Sequence, residues 1–178
     1  SILLVHTSKG KENEMRMYIG GEWVDRSSKV SVVNPYDGSE VETVPKGGIK
    51  DVDVAVTSAV RGAEIMAAMP SHERYDILMK TVALMKERFE DFARTITLEE
   101  GKVIAESRVE VNRAIQTLVG SAEEGKRIHG ETVPLDAAPS WTGQFGFTLR
   151  VPCGVVVAIT PFNFPLNLVV HKVGPALA

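Results

Sequence analysis

The stretch that most constrains the fold is Val151 to Ala178, VPCGVVVAITPFNFPLNLVVHKVGPALA. Gly154 to Ile159 is short, β-branched and wholly apolar, the pattern of a strand buried on both faces. Thr160 to Pro165 reads as a turn in which Pro161 and Pro165 restrict the backbone. Pro165 suits a first helical position, where its missing N–H would have had no partner in any case. An apolar helix is expected from Leu166 onward. Strand, tight turn and helix together open a dinucleotide-binding unit, in which ligands sit beyond the carboxyl ends of the strands. One polar side chain, Asn163, stands in the middle of that turn.

This stretch resembles the aldehyde dehydrogenase superfamily, in which a GVV-x-x-I strand runs into T-P-F/W-N-F-P-L and a lysine-bearing helix ends in GPALA. The resemblance is carried without a gap by Pro152, Gly154, Val155, Val156, Ile159, Pro161 to Leu166, Lys172 and Gly174 to Ala178. The wording is closest to a microbial branch that includes lactaldehyde and glyceraldehyde-type dehydrogenases. Earlier patches agree: a GGEW start, an NP-x-DG turn, Glu100-Gly101-Lys102 with Glu106 and Glu110, and Ala122-Glu123-Glu124 with Gly130-Glu131. The resemblance thus covers nearly everything after Met17. It implies an α/β fold, the N-terminal part of a Rossmann-type cofactor domain. That part would comprise small antiparallel strands, three long helices, a hairpin, and then the first parallel strand and its helix. It also implies NAD- or NADP-dependent oxidation of a small aldehyde to its carboxylic acid. A cysteine thiolate attacks the aldehyde carbon, fixed donors stabilise the resulting oxyanion, the nicotinamide accepts hydride, and a carboxylate base activates water.

By the same resemblance, Asn163 supplies the oxyanion donor and Lys172 faces the catalytic cavity. Ile159, Thr160, Pro161, Phe162 and Asn163 would touch the cofactor, largely through backbone, and Phe164 and Leu168 would line the aldehyde tunnel. Read from the residues alone, an asparagine amide donates without titrating, yet an asparagine in a turn is also a common helix-capping Asx residue. Lys172 has apolar neighbours in Val169, Val170 and Val173, which argues against full exposure; His171 reads as structural. Cys153, the single cysteine, sits between Pro152 and Gly154 with no motif around it and reads as a packing residue; the family's nucleophile lies elsewhere. No G-x-G-x-x-G is present, so dinucleotide binding rests on the resemblance. The choice between NAD and NADP stays open. No metal site is indicated.

Ahead of that stretch, residues 1–16 read as a flexible leader and 17–131 as part of the cofactor domain. Short strands are expected at Met17–Ile19, Glu22–Val24, Lys29–Val33 and Ser39–Val44, turning at Gly20-Gly21 and at Asn34 to Gly38. Asp51 and Asp53 suit a first helical turn, ahead of Val52, Ala55, Val56, Ala59, Val60 and Ala63 at helical spacing. After the Pro70-Ser71 break, with Ser71 as cap, Tyr75, Leu78, Met79, Val82, Met85 and Phe89 form the buried stripe of a second helix. Gly101 interrupts, and Val111, Ile115, Leu118, Val119 and Ala122 mark a third helix ending near Gly130. Trp23 and the methionines read as core, and Glu106, Arg108 and Glu110 as solvent-facing charges. Residues 132–150 are loop-rich, with Gln144 to Arg150 alternating as a strand. The family places here a hairpin that pairs with a neighbouring subunit, so a homo-oligomer, dimer or tetramer, is implied.

Composition narrows the partners. At 178 residues, 44% hydrophobic, 24% charged and a net charge of −3, the chain gives no footprint for nucleic acid or an acidic membrane. No run is long enough to span a bilayer, and one cysteine fits a reducing compartment, so a cytoplasmic setting is expected. The expected catalytic cysteine, glutamate and adenosine-ribose contacts are not found among these residues. The chain alone is therefore expected to be inactive, as part of a longer dehydrogenase. The alternatives are a non-catalytic oligomerisation or interaction module and a lone cofactor-binding domain.

Overall fold

The computed structural model describes residues 15–178. Of the leader expected over 1–16, all but Met15 and Arg16 lies outside the described residues. Two antiparallel hairpins come first: β1 (Met17–Ile19) with β2 (Glu22–Val24), and β3 (Lys29–Val33) with β4 (Glu40–Pro45). Their turns are those the sequence indicates. Gly20 and Gly21 take φ of 65° and 90°, and the Asn34 and Asp37 side chains accept the Tyr36 and Ser39 N–H groups at 3.0 Å. Trp23, expected in the core, is 40% exposed and stacks on Tyr18 across β1 and β2.

Five helices follow: α1 (Ile49–Ala68), α2 (Ser71–Glu87), α3 (Phe89–Glu100), α4 (Ile104–Gly125) and α5 (Asn167–Leu177). The second expected helix stops at Glu87, short of its last expected apolar residue: the backbone breaks at Arg88, and Phe89 opens a separate helix that runs to Glu100. The long helices therefore number four before the hairpin, not three. Ser71 does not cap α2: Pro70 precedes the helix, and its carbonyl accepts the Glu73 and Arg74 N–H groups.

The core is a helical layer centred on α4. Leu78, Val82 and Met85 of α2, Ala93 and Ile96 of α3, and Leu166 and Val170 pack around Val111, Ala114, Ile115, Leu118 and Ala122. Tyr75, Met79 and Phe89 close its edge. The α2 stripe is thus buried as its spacing demands. The α1 stripe is not: Val52, Val56 and Val60 are exposed, because α1 packs on β1 and not on the helical layer. What fixes α1 is charge. Asp51 accepts the Gly48 N–H at 2.8 Å, closing the first turn, and also accepts the Arg26 Nε at 3.1 Å, with a second Arg26 nitrogen on the same carboxylate.

The hairpin of residues 132–150 is β5 (Thr132–Val133) paired with β6 (Gly146–Phe147), enclosing short 3-10 turns at Leu135–Ala137 and Pro139–Trp141. It is much shorter than the alternation of Gln144 to Arg150 suggests. The stretch after it departs furthest from expectation. Residues 151–160 form no strand, and Val157 and Ile159 are 75% and 82% exposed. A parallel strand is held by neighbours on both edges, and among the described residues none lies beside this one. Cys153, expected to pack, is exposed in this segment.

The Arg26 hydrogen bond, then the Gly48 amide, hold the Asp51 carboxyl below the usual carboxylate range. Its stabilising contribution is therefore present above the ordinary carboxylate pKa and is lost as pH falls through the lowered value. Arg26→Met should narrow that window. Urea midpoints of wild type and variant should differ most near neutral pH and converge in acid below the ordinary aspartate pKa.

Candidate functional site

The turn that carries Asn163 is built against α4 by a carboxylate. The start of α5 leaves the Leu166 and Asn167 N–H groups without partners inside the helix. No local side chain caps them. Instead Glu110, from the middle of α4, offers Oε1 to both, at 2.9 and 3.2 Å. An anion at a helix N-terminus is also favoured by the macrodipole. Glu110, expected to face solvent, is 1% exposed. Asn167 is buried beside it, and the Thr117 hydroxyl donates to its side-chain oxygen at 3.3 Å.

A buried carboxylate requires a countercharge. Lys102 supplies it, with Nζ 2.6 Å from Glu110 Oε2 and 3.0 Å from Glu100 Oε2. Gly101 makes this possible. It ends α3 at φ 77°, a conformation that favours glycine, and an added Cβ would come within 2.8 Å of Pro35. The chain thus reverses and lays Lys102 back onto α4. Burial alone would lower the Lys102 pKa, but hydrogen bonds to Glu110 and Glu100 outweigh it and the net shift is upward. The same ammonium donates to the Asn163 carbonyl at 3.0 Å and lies 4.2 Å over the Phe164 ring. A buried pair of this kind contributes little net stability, but removing one partner costs about 3–5 kcal/mol because the other charge is left uncompensated.

The residues singled out from the sequence fall into two groups. Ile159, Pro161, Phe162 and Asn163 are exposed, while Thr160, Phe164 and Leu168 are half-buried. This continuous surface leads into the braced turn. Lys172 stands apart. The face of α5 that meets α4 carries Leu166, Val170 and Gly174, and Lys172 is two residues from both Val170 and Gly174, so it projects from the far side and is exposed. Its apolar neighbours do not enclose it: Val170 is buried against α4, Val169 is half-buried and Val173 is itself exposed, which corrects the expectation drawn from them. Pro165 lies in the entering turn, two residues before the first helical residue. Lys102 and Glu110 belong to the site as the structure builds it. The Glu-Gly-Lys patch and the later Glu110 were visible in the sequence, but nothing local tied them to residues 163–167.

Among the described residues, no group of three or more His, Cys, Asp or Glu side chains is placed to hold a metal ion, and no helix is long and apolar enough to cross a membrane.

The sequence profile of the aldehyde dehydrogenase family matches residues 23–178, and the chain belongs to that family. It is 45% identical over 172 residues to a 3-sulfolactaldehyde dehydrogenase of Priestia aryabhattai, covering 97% of this chain and 36% of that protein. To a lactaldehyde dehydrogenase of Methanocaldococcus jannaschii it is 38% identical over 162 residues, 91% of this chain and 34% of that one. The crystal structure of aldehyde dehydrogenase 21 from Physcomitrella patens, in complex with the reaction product succinate, superimposes with a TM-score of 0.89 at 41% identity, over 94% of this chain and 35% of that one. The chain therefore spans about a third of the length of the relatives it matches. Similar solved structures hold NADP or NAD, the cofactors the family uses.

Close approach of α5 to α4 sets where the turn stands. A Cβ at Gly174 would lie 2.8 Å from Ser121 Oγ and 3.3 Å from Leu118. Gly174→Ala should destabilise the chain by about 1–3 kcal/mol through overpacking. Adding Ser121→Gly should recover part of that loss, as read from urea midpoints.

Proposed function

We propose that this chain is the turn-bearing part of an NAD(P)-dependent dehydrogenase that oxidises a short aldehyde to its carboxylic acid, with Asn163 as the oxyanion donor. The observation that carries the reading is an exposed asparagine in a turn whose backbone is held by a buried ion pair. An oxyanion donor works when it is fixed before charge develops, so that no reorganisation is needed during the reaction. Asn163 donates from a neutral amide to the aldehyde oxygen as that oxygen gains negative charge. Phe164 and Leu168, half-buried beside it, give the aldehyde an apolar wall.

The cofactor has a surface to meet. Ile159 to Phe162 leave apolar side chains and backbone uncommitted to the protein's core, and Pro161 fixes the chain as it turns toward Asn163. When bound there, the nicotinamide supplies the hydride acceptor. Lys172, exposed on α5, is the cation this chain presents on the side away from α4. Support for the substrate class comes from the relatives, which are named for lactaldehyde and 3-sulfolactaldehyde.

In the full-length protein, with lactaldehyde, 3-sulfolactaldehyde and succinate semialdehyde as a panel, aldehyde-dependent reduction of NAD or NADP is expected. Asn163→Ala should lower kcat by about 100- to 1000-fold on the best substrate while leaving nicotinamide binding, followed by fluorescence titration, unchanged. Wild-type turnover in that variant would remove Asn163 from the chemistry.

Residues 132–150 serve, in the same proposal, as the pairing element of a homo-oligomer. Phe147 on the two-stranded ribbon, and Phe145 and Leu149 flanking it, are exposed, and the ribbon is too short to stand on its own. Sedimentation of the full-length protein should give a dimer or tetramer, and Phe147→Asp should shift it toward monomer; a wild-type monomer would sink this part.

A further inference from the structure

We infer that Lys102 and Glu110 are positioning residues for the Asn163 turn, setting the turnover of aldehyde oxidation and not the affinity for its cofactor. The inference rests on the reading of Asn163 as oxyanion donor and extends it to two residues that hold the backbone of the turn and not the Asn163 side chain. Glu110 divides its oxygens. Oε1 accepts the Leu166 and Asn167 amides at 2.9 and 3.2 Å, and Oε2 accepts from Lys102 at 2.6 Å. Lys102 also donates to the Asn163 carbonyl at 3.0 Å, stands as an ion pair 3.0 Å from Glu100 Oε2, and lies over the Phe164 ring.

Taken peptide by peptide, little freedom is left between residues 163 and 167. The peptide after Asn163 is held through its carbonyl, and those before Leu166 and before Asn167 through their N–H groups. The remaining peptide, which runs into Pro165, is held through the Phe164 carbonyl, which accepts the Leu168 N–H at 3.0 Å, and the proline ring fixes φ. The brace grips only backbone and the Phe164 ring, and the Asn163 side chain remains exposed. The arrangement thus fixes a donor without occupying it. Its charge is buried, with Glu110 closed to solvent and Lys102 nearly so, and water competes poorly for these contacts.

The tests use the full-length protein, the best aldehyde of the panel above, and whichever of NADH and NADPH the wild type binds. Lys102→Met should lower kcat on the order of a hundredfold, the scale expected when a reacting group is displaced by about 1 Å, with nicotinamide affinity retained. Lys102→Arg, which keeps charge and donors, should recover most of that loss. In an Asn163→Ala background, Lys102→Met should cost little more, because the two act through one donor. Hydrogen exchange at the Leu166 and Asn167 amides should speed up in Lys102→Met. If that variant does not fold, Lys102→Gln is the substitute, expected to show the same kcat loss in milder form. Unchanged exchange together with wild-type kcat, or equal and additive losses in both backgrounds, would overturn the brace. Wild-type kcat in Asn163→Ala would overturn the donor reading instead, whatever Lys102 does to exchange.

Discussion

Glu110 is a carboxylate in the middle of a helix with no solvent to turn to, and much of the molecule is arranged to make that tolerable. An unpaired charge at such a depth would neutralise or pull the helix apart. The chain meets it with an ammonium from the turn after α3 and with two amides from the start of α5. Glu110 and its partners come from three separate places in the sequence, so satisfying one buried group fastens α3, α4 and α5 together. Gly101 and Gly174 follow from the same requirement. One lets the chain double back to deliver the lysine, and the other lets α5 approach closely enough for its amides to arrive.

The fold is legible where its determinants are local. The Gly20-Gly21 reversal and the Asn34 to Gly38 turn encode their conformations in their own residues, and both hairpins form around them, the second with a register shift between Val32 and Val33. The stripe from Tyr75 to Phe89 names its buried face by spacing alone, yet apolar spacing carries straight across the backbone break at Arg88, so the division into α2 and α3 is invisible to it. The α1 stripe shows the converse. Periodicity declares an amphipathic helix but cannot say whether a partner is at hand, and Val52, Val56 and Val60 lie open.

The candidate site is legible only in part, for a physical reason. Asn163 is conspicuous because prolines flank it in a turn. Glu110 reads as one more surface charge on a helix rich in them, and its burial depends on groups dozens of residues away. The expectation of a solvated Glu110 and of a sheltered Lys172 fail for the same reason. Neither a residue's charge nor its neighbours in sequence decide exposure on a helix; which face meets another element does. Gly154 to Ile159 has every property of an interior strand except a neighbour, and a strand is a relation between two segments.

That unpaired run bears on the order in which the molecule must come together. The helical layer is assembled largely from segments close along the chain, contacts that close quickly during folding. Residues 154–159 can do nothing on that timescale, since their hydrogen bonds depend on another strand. Until one arrives they offer an uncharged, β-branched template that will accept any edge of matching length, including the same stretch of a sister molecule. Solubility during biosynthesis is then a race between the correct strand and an identical competitor, and it depends on protein concentration in a way that the stability of the helical core does not.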